Sequence, residues 1–365
     1  MASYYTLSDI AAAINGHLVG DGSYKVTAVA HPAAKAKGGD LVLATDPALM
    51  PLLEANGACV AILSAQTEVP SFLKGAILVG RSRYAMAHLT GLFEKKVVVA
   101  PGVHPSAVLE EGVEIDPTAA IGAFSYIARG ARIGRGTVIH PQVYIGPEAE
   151  VGEEGLIYSG VRIGARVKIG ARAIIHFNTT IGADGFSFVT PDIGSVETAK
   201  ATGEVGSAQN LQLVRIASLG AVEIGDNVEI GANTSIDRGT IVSTRIGRGT
   251  KIDNQVQIGH NVVVGENCML CGRVGIAGSS EIGNRVVLGG SVGVADHVKV
   301  GDDTVAMGMS GIAGNIPPRS LVGGAPAKPR KKFIQDLYNI SRIKGLAEKV
   351  QDLSQRLDAL DGGKE

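Results

Sequence analysis

The residues best suited to chemistry lie in one stretch dense in polar groups, Ile252-Asp253-Asn254-Gln255-Val256-Gln257-Ile258-Gly259-His260-Asn261. His260 is the candidate base, because a neutral imidazole with a pKa near about 6.5 accepts a proton at physiological pH. Gly278, in Ile276-Ala277-Gly278, follows at a spacing that brings its backbone N–H within reach of a group held by His260. Composition alone leaves a second reading open, in which His260 is one exposed residue of a repetitive wall. Three further histidines, His104, His140 and His176, each follow an aliphatic residue at equal intervals. The pair Cys268 and Cys271 spells CxxC.

What positions these groups is a repeat of six. From Val103 an aliphatic residue recurs at every sixth position through Leu109, Ile115, Ile121 and onward to Ile181. The series resumes at Ile224, Ile230 and Ile236, skips register, and runs again from Ile246 through Ile258, Ile276 and Val294 to Ile312. Gly often follows the aliphatic residue, and a small or branched residue such as Val167, Val228 or Val262 sits four places on. Neither a helix nor an ordinary strand has a period of six. A triangular coil does: each hexad makes one flat face and a corner, and three hexads close a turn whose strands pair with the turns above and below. The sequence therefore predicts a left-handed parallel β-helix over residues 102–318, preceded by a small α/β domain (1–101) and followed by a helical tail (319–365).

In that frame His104, His140 and His176 are two turns apart. At about 4.8 Å per turn their rings stand roughly 10 Å apart, too far to share a metal within one chain. Cys268 falls at the small inward position and Cys271 outside the wall, so the pair reads as packing. Residues 187–219 interrupt the hexads, with Pro191, Gly194, Gly203 and Gly206 among them. They read as an ejected loop forming a lid or the wall of a cleft.

Composition narrows the class. The 365 residues include 50 Gly and no Trp, and the net charge is −1, so no global basic field points to nucleic acid. No apolar run is long enough for a membrane-spanning helix, and the first twenty residues lack the pattern of a signal peptide. Three cysteines make no disulfide framework, which suits a reducing cytoplasm. In the first hundred residues, 41–44 and 59–63 read as buried strands and 48–55 and 84–93 as helices. No GxGxxG or GxxxxGK[ST] loop is present there. Pro317, Pro318, Pro326 and Pro329 are expected to end the coil. Beyond them Phe333, Leu337, Ile340, Ala347, Val350, Leu353, Leu357 and Leu360 form an apolar helical stripe that calls for a partner.

The segments Ile236-Asp237-Arg238-Gly239, Asp253-Asn254-Gln255 to Gly259-His260-Asn261, and Gly182-Ala183-Asp184-Gly185-Phe186 resemble the UDP-3-O-acylglucosamine N-acyltransferases of lipid A synthesis. The three-part layout of the whole chain is similar as well. The resemblance implies transfer of a 3-hydroxyacyl chain from the phosphopantetheine of acyl carrier protein to the 2-amino group of the UDP-sugar, with no cofactor bound by the chain. It implies His260 as the base, Gly278 as the oxyanion donor and Asp253 as the residue that orients His260. It further implies His297 on the sugar nucleotide and a homotrimer with its sites between subunits. In this family the N-terminal domain holds uracil between two aromatic residues flanking an Asn. Here Leu43, Asp46 and Leu49 align, so the leucines are expected to sandwich the ring. Near the end of the coil this chain has Met307 and Met309 but then Gly311 and Ala313, which predicts a roomier acyl groove. On the residues alone, another hexapeptide O- or N-acyltransferase and a β-helical carbonic anhydrase with metal between subunits remain competing readings. The basic cluster Lys328, Arg330, Lys331 and Lys332 is either a docking point for acidic carrier protein or a solvated helix start.

Overall fold

The inward aliphatic of each hexad takes the same place in every turn. The computed structural model describes residues 4–95, 98–324 and 327–361, and its chain divides into two compact units, Met1–Val98 and Val99–Glu365.

The second unit is a left-handed parallel β-helix of two- to four-residue strands. They stack into three parallel sheets, which form the faces of a triangular prism. The first face runs from Gly102–Val103 to Leu321–Val322, the second from Val108–Leu109 to Gly311–Ile312, and the third from Glu114–Ile115 to Lys299–Val300. Partners are the predicted ones: Ile121 pairs with Ile139, Ile127 with Ile145 and Ile133 with Val151. Their side chains fill one continuous core along the axis, whose burial supplies the driving force that such short strands lack by themselves. The second inward position mostly holds Val, Ala, Cys or a buried Thr or Ser, with Gly at 155. Thr137 satisfies its hydroxyl by donating to Gly152 O at 2.6 Å, and Thr234 by donating to Asp253 O at 2.9 Å.

Corner chemistry explains the rest of the hexad. The residue before the small inward one adopts a left-handed conformation, as in Asn178 (φ 58°), Asn261 (φ 61°) and Asn267 (φ 54°), a conformation Asn tolerates better than most residues. The Gly after the aliphatic residue lies against the next turn: a Cβ on Gly134 would fall 2.6 Å from the backbone of Gly152.

Two excursions leave the coil on the way up. The first carries a hairpin, Phe188–Val189 with Val214–Arg215, and helix α4 (Ser195–Thr202), before Ile224 rejoins the ladder against Ile169. The second, shorter, lies between Ile236 and Ile246 and accounts for the skip in register. The coil also continues past Pro317 and Pro318, contrary to the sequence expectation. Leu321–Val322 pairs in parallel with Val305–Ala306. Pro318 occupies a corner, where a missing N–H removes no ladder bond, and Pro317 stands where the N–H would serve only a further turn of the third face, which ends at this level. Pro326 lies outside the described residues.

Pro329 precedes helix α5 (Arg330–Ser341), which is followed by helix α6 (Ile343–Asp361). The expected stripe is present in Phe333, Leu337, Ile340, Val350, Leu353 and Leu357, all exposed; the Leu360 side chain lies outside the described set. Lys328 pairs with Asp336 at 2.6 Å. Among the described residues no helix is long and apolar enough to cross a membrane.

The first unit is a five-stranded mixed sheet in the order 17–20, 75–79, 60–64, 40–44, 28–30, parallel except for its first pair. Leu7 and Ile10 of α1 (Leu7–Ala13) and Ala85 and Leu89 of α3 (Ser82–Phe93) join the apolar cluster that contains Leu41 and Ile62. Leu53 of α2 (Met50–Ala55) joins a second cluster with Val42 and Leu63. Strand alternation assigns these clusters to opposite faces of the sheet.

Candidate active site

His260 sits at a corner just past the strand Gln257–Ile258 on the second face. Two glycines make room for its ring. A Cβ on Gly185 would fall 2.6 Å from His260 Cβ, and one on Gly278 would fall 2.7 Å from both Cε1 and Nε2. The imidazole is thus slotted between the base of the ejected loop and the turn above. The N–H of Gly278 finds no acceptor among the described residues, and it belongs to the wall of the same cleft, about 610 Å³ in volume. At this corner position the N–H lies outside the ladder in every turn, so a general property of the coil becomes a free donor beside the imidazole.

The other side of the ring is fixed by Asn261. Its Nδ2 donates to Val242 O at 3.1 Å and its Oδ1 accepts from Thr240 N–H at 3.1 Å. That orientation leaves Oδ1 facing His260 Nδ1 at 3.0 Å. The network therefore assigns the Nδ1–H tautomer, and the Nε2 lone pair faces Gly278 and the cleft. The short excursion after Ile236 has a local purpose, because it supplies both backbone groups that hold Asn261.

Asp253 is not the carboxylate beside His260. Seven residues carry the chain around a corner, so Asp253 lies on the first face, where its carboxylate accepts from Asn254 N–H at 2.7 Å. It lines a different cleft, with His176, Glu229, Lys251 and Cys271. Two acids, Asp184 and Asp237, line the His260 cleft; of these Asp237 is half-buried and stands one turn below Gly259. Burial pushes its carboxyl above the usual carboxylate range, against opposing pulls from Gln257 and from His260 itself. Arg215 enters the same cleft, donating to Asp184 at 2.9 Å and lying over the Phe188 ring. Asp237, Asn261 and Arg215 were not singled out from sequence. The motif Ile236-Asp237-Arg238 and the Asn after His260 were visible, but neither spacing nor type revealed their contacts.

His297 occupies the left-handed corner position (φ 59°) two turns above Asn261, exposed to solvent. The neighbouring Asp296 pairs with Lys200 of α4 at 2.6 Å, which ties the ejected loop to the coil. Above His260 the second face has no large side chains facing outward: Gly275, Gly293 and Gly311 alternate with inward aliphatics, and Ala277, Ala295 and Ala313 follow them. Gly311 heads this strip, and Met309, exposed at a left-handed corner (φ 62°), flanks it. Met307 lies at the same corner, against Gly323.

Leu43 and Leu49 do not face each other. Leu43 packs with the cluster of Leu41 and Ile62, and Leu49 with that of Val42 and Leu53, so the expected leucine sandwich for a base is not formed. Asp46 caps the turn Pro47–Leu49 by accepting from Ala48 N–H at 2.9 Å. Among the first-face histidines, His104 contacts Ser106 at 2.8 Å. The rings of His140 and His176 stack on either side of Tyr158, with centroids 4.8 and 5.0 Å from it. Cys268 is buried in the coil and Cys271 is partly exposed.

Residues 243–278, which include both His260 and Gly278, match the family model described as bacterial transferase hexapeptide (six repeats). A UDP-3-O-acylglucosamine N-acyltransferase of Paracoccus denitrificans (strain Pd 1222) is 46% identical over 275 residues, 75% of this chain and 75% of that protein. One of Syntrophus aciditrophicus (strain SB) is 35% identical over 356 residues, 98% of this chain and 93% of that protein. The fold is shared with the crystal structure of Arabidopsis UDP-N-acetylglucosamine acyltransferase, at a TM-score of 0.52 and 20% identity over 66% of this chain and 79% of that one. With relatives of this name matched along nearly its whole length, the chain belongs to the UDP-3-O-acylglucosamine N-acyltransferase family and is an acyltransferase.

Proposed function

We propose that the chain transfers a 3-hydroxyacyl group from the phosphopantetheine thioester of acyl carrier protein to the 2-amino group of UDP-3-O-acylglucosamine, a step of lipid A synthesis. The observation that carries this reading is the pairing of an oriented imidazole with a free amide: His260 Nε2 lies against Gly278, whose N–H has no acceptor among the described residues. The amine nitrogen attacks the thioester carbonyl while Nε2 removes its proton. The Gly278 N–H receives the oxyanion of the tetrahedral intermediate, the state in which a preorganised donor contributes most. Collapse expels the phosphopantetheine thiolate, which takes the proton from the imidazolium. Asn261 keeps the tautomer, and ionised Asp237 favours the imidazolium.

In this reading the glycine strip above His260 receives the acyl chain, and Arg215 and His297 meet the anionic part of the sugar nucleotide. The exposed stripe of α5 and α6 supports a homotrimer, and the three free cysteines fit a reducing cytoplasm.

The test is acyl transfer from 3-hydroxyacyl carrier protein to UDP-3-O-acylglucosamine by wild type and by His260→Ala. A folded mutant with activity lowered by roughly 10²–10⁴-fold is expected. Transfer unaffected by the mutation would remove the base from the mechanism. Absence of transfer by wild type would overturn the reading.

A further inference from the structure

The two excursions from the coil meet at a pair of arginines. Arg238 stands at the start of the short excursion, and its main-chain N–H donates to Ala183 O at 2.8 Å, one turn below. Its side chain donates through Nε to Gly220 O at 2.8 Å and through Nη2 to Ala165 O at 3.4 Å, two turns below. Arg166, at the left-handed corner (φ 59°) next to Ala165, donates through Nη2 to Leu219 O at 2.8 Å. The two guanidiniums thus hold the returning end of the long excursion, Leu219 and Gly220. The Arg238 main chain holds Ala183, just before the chain departs.

The pairing is not free of cost. Like charges side by side repel. Burial and the Arg166 guanidinium push Arg238 below the ordinary arginine range, with Asp184 pulling it back. Closing a neck of chain needs no charge, since a neutral side chain reaches a carbonyl as well. What the guanidinium adds is a rigid fork of donors that fixes several groups relative to one another.

The groups so fixed lead to both sides of the His260 ring. On one side, Gly185 N–H donates to Ser218 Oγ at 3.1 Å, and Gly185 leaves no room for a Cβ against the imidazole. On the other, Leu219 N–H donates to Thr240 O at 2.7 Å. Thr240 N–H in turn is one of the groups that orient Asn261, whose Oδ1 faces His260 Nδ1. A shift of the neck therefore moves the slot and the tautomer contact together.

Resting on His260 as the base, we infer that Arg238, backed by Arg166, is a positioning residue for that base, acting through the joined necks of the two excursions. Both arginines stand behind the wall of the His260 cleft and not in its lining, so they act on the imidazole and not on a substrate. A misplacement of about 1 Å in a catalytic group costs on the order of 10²-fold, which sets the scale of the effect.

The test uses the full-length protein, with kcat and KM for both substrates and heteronuclear NMR of the imidazole nitrogens, which report the tautomer. His260→Ala identifies the His260 signals by their loss. Arg238→Lys keeps the charge without the fork, and Arg238→Ala removes both. In Arg238→Ala, kcat per folded molecule is expected to fall by roughly ten- to a hundredfold, and less in Arg238→Lys. KM for both substrates should stay put, and His260 should pass from the Nδ1–H form to a mixture of tautomers. Arg166→Ala, which frees only Leu219 O, should fall between wild type and Arg238→Ala. Arg172→Ala removes a guanidinium that donates to Asn227 at an equivalent corner, and should match wild type. Unchanged kcat and tautomer in Arg238→Lys and Arg166→Ala would overturn the inference, as would a lowered Tm with kcat intact or a loss confined to KM. Should Arg238→Ala fail to fold, the two milder variants decide. Full activity of His260→Ala would instead overturn the base, while the tautomer spectra would still show whether Arg238 fixes the ring.

Discussion

Asn261 Oδ1 stands 3.0 Å from His260 Nδ1, and its own amide is pinned at both ends by Thr240 N–H and Val242 O. The tautomer of the base is therefore set by an excursion of backbone, not by a carboxylate. Asn261→Ala should leave the coil folded but free the ring to turn, lowering kcat by about 10²-fold, the scale of small misplacements in an active site. Asn261→Asp keeps an acceptor and adds a charge that favours imidazolium, so the acid limb of its kcat/KM profile should move to higher pH. Profiles that superimpose on wild type for both variants would show that Asn261 has no hold on the ring.

Gly278 makes two contributions that a single substitution separates. Gly278→Ala retains the backbone N–H but places a methyl 2.7 Å from His260 Nε2, so one neighbour must shift. We expect kcat to fall by roughly 10²-fold with Tm close to wild type. Unchanged kcat in the alanine variant would mean that the imidazole does not work in the slot described.

Asp237 predicts a pH signature. Burial raises its folded-state pKa above the ordinary value, so the folded protein holds this proton more tightly than the unfolded chain. Its contribution to stability is therefore fully present below the ordinary carboxylate pKa and is lost as pH rises through the raised one. Asp237→Asn should flatten that part of the stability curve. It should also lower kcat/KM most at pH values where wild-type Asp237 is ionised. Identical pH dependence of unfolding in wild type and mutant would contradict the burial argument.

How much of this was legible follows from what kind of contact each claim needed. The coil rests on a strictly local repeat, so Ile121, Ile127 and Ile133 could be placed without knowing anything distant. The nearness of His260 to Gly278 followed too, because one turn of the coil is a fixed count. Asp253 is implied as the orienting residue by the resemblance alone, and the seven residues before His260 carry the chain around a corner, so the two stand on neighbouring faces. Asp237 and Asn261 depend on the four extra residues before Ile246, whose path no periodicity specifies. For Leu43 and Leu49 the resemblance supplies only an alignment, and which cluster each joins is decided by packing on the two faces of a sheet. Pro317 and Pro318 read as terminators from their usual effect on a ladder, but Pro318 sits at a corner and Pro317 at the last level of the third face, so neither removes a ladder bond.

The glycine strip above His260 makes the last prediction. A Cβ on Gly275, Gly293 or Gly311 would meet nothing within 4 Å, so these positions are glycine for reasons other than fit within one chain. Side chains added there are tolerated by the coil and project into whatever lies along the face. If the acyl chain lies there, each turn offers about 4.8 Å of groove, and an obstruction at a given turn sets a maximum length. Wild type, with its top rung open at Gly311, should use C18 as well as C14 3-hydroxyacyl donors. Gly311→Met should reduce kcat/KM on the longest donor by roughly tenfold or more, in the range of apolar pocket discrimination, and spare C14. Gly275→Met, nearer the base, should also penalise C14. A sharp preference of wild type for C14, or equal losses on all donors in both variants, would place the acyl chain elsewhere.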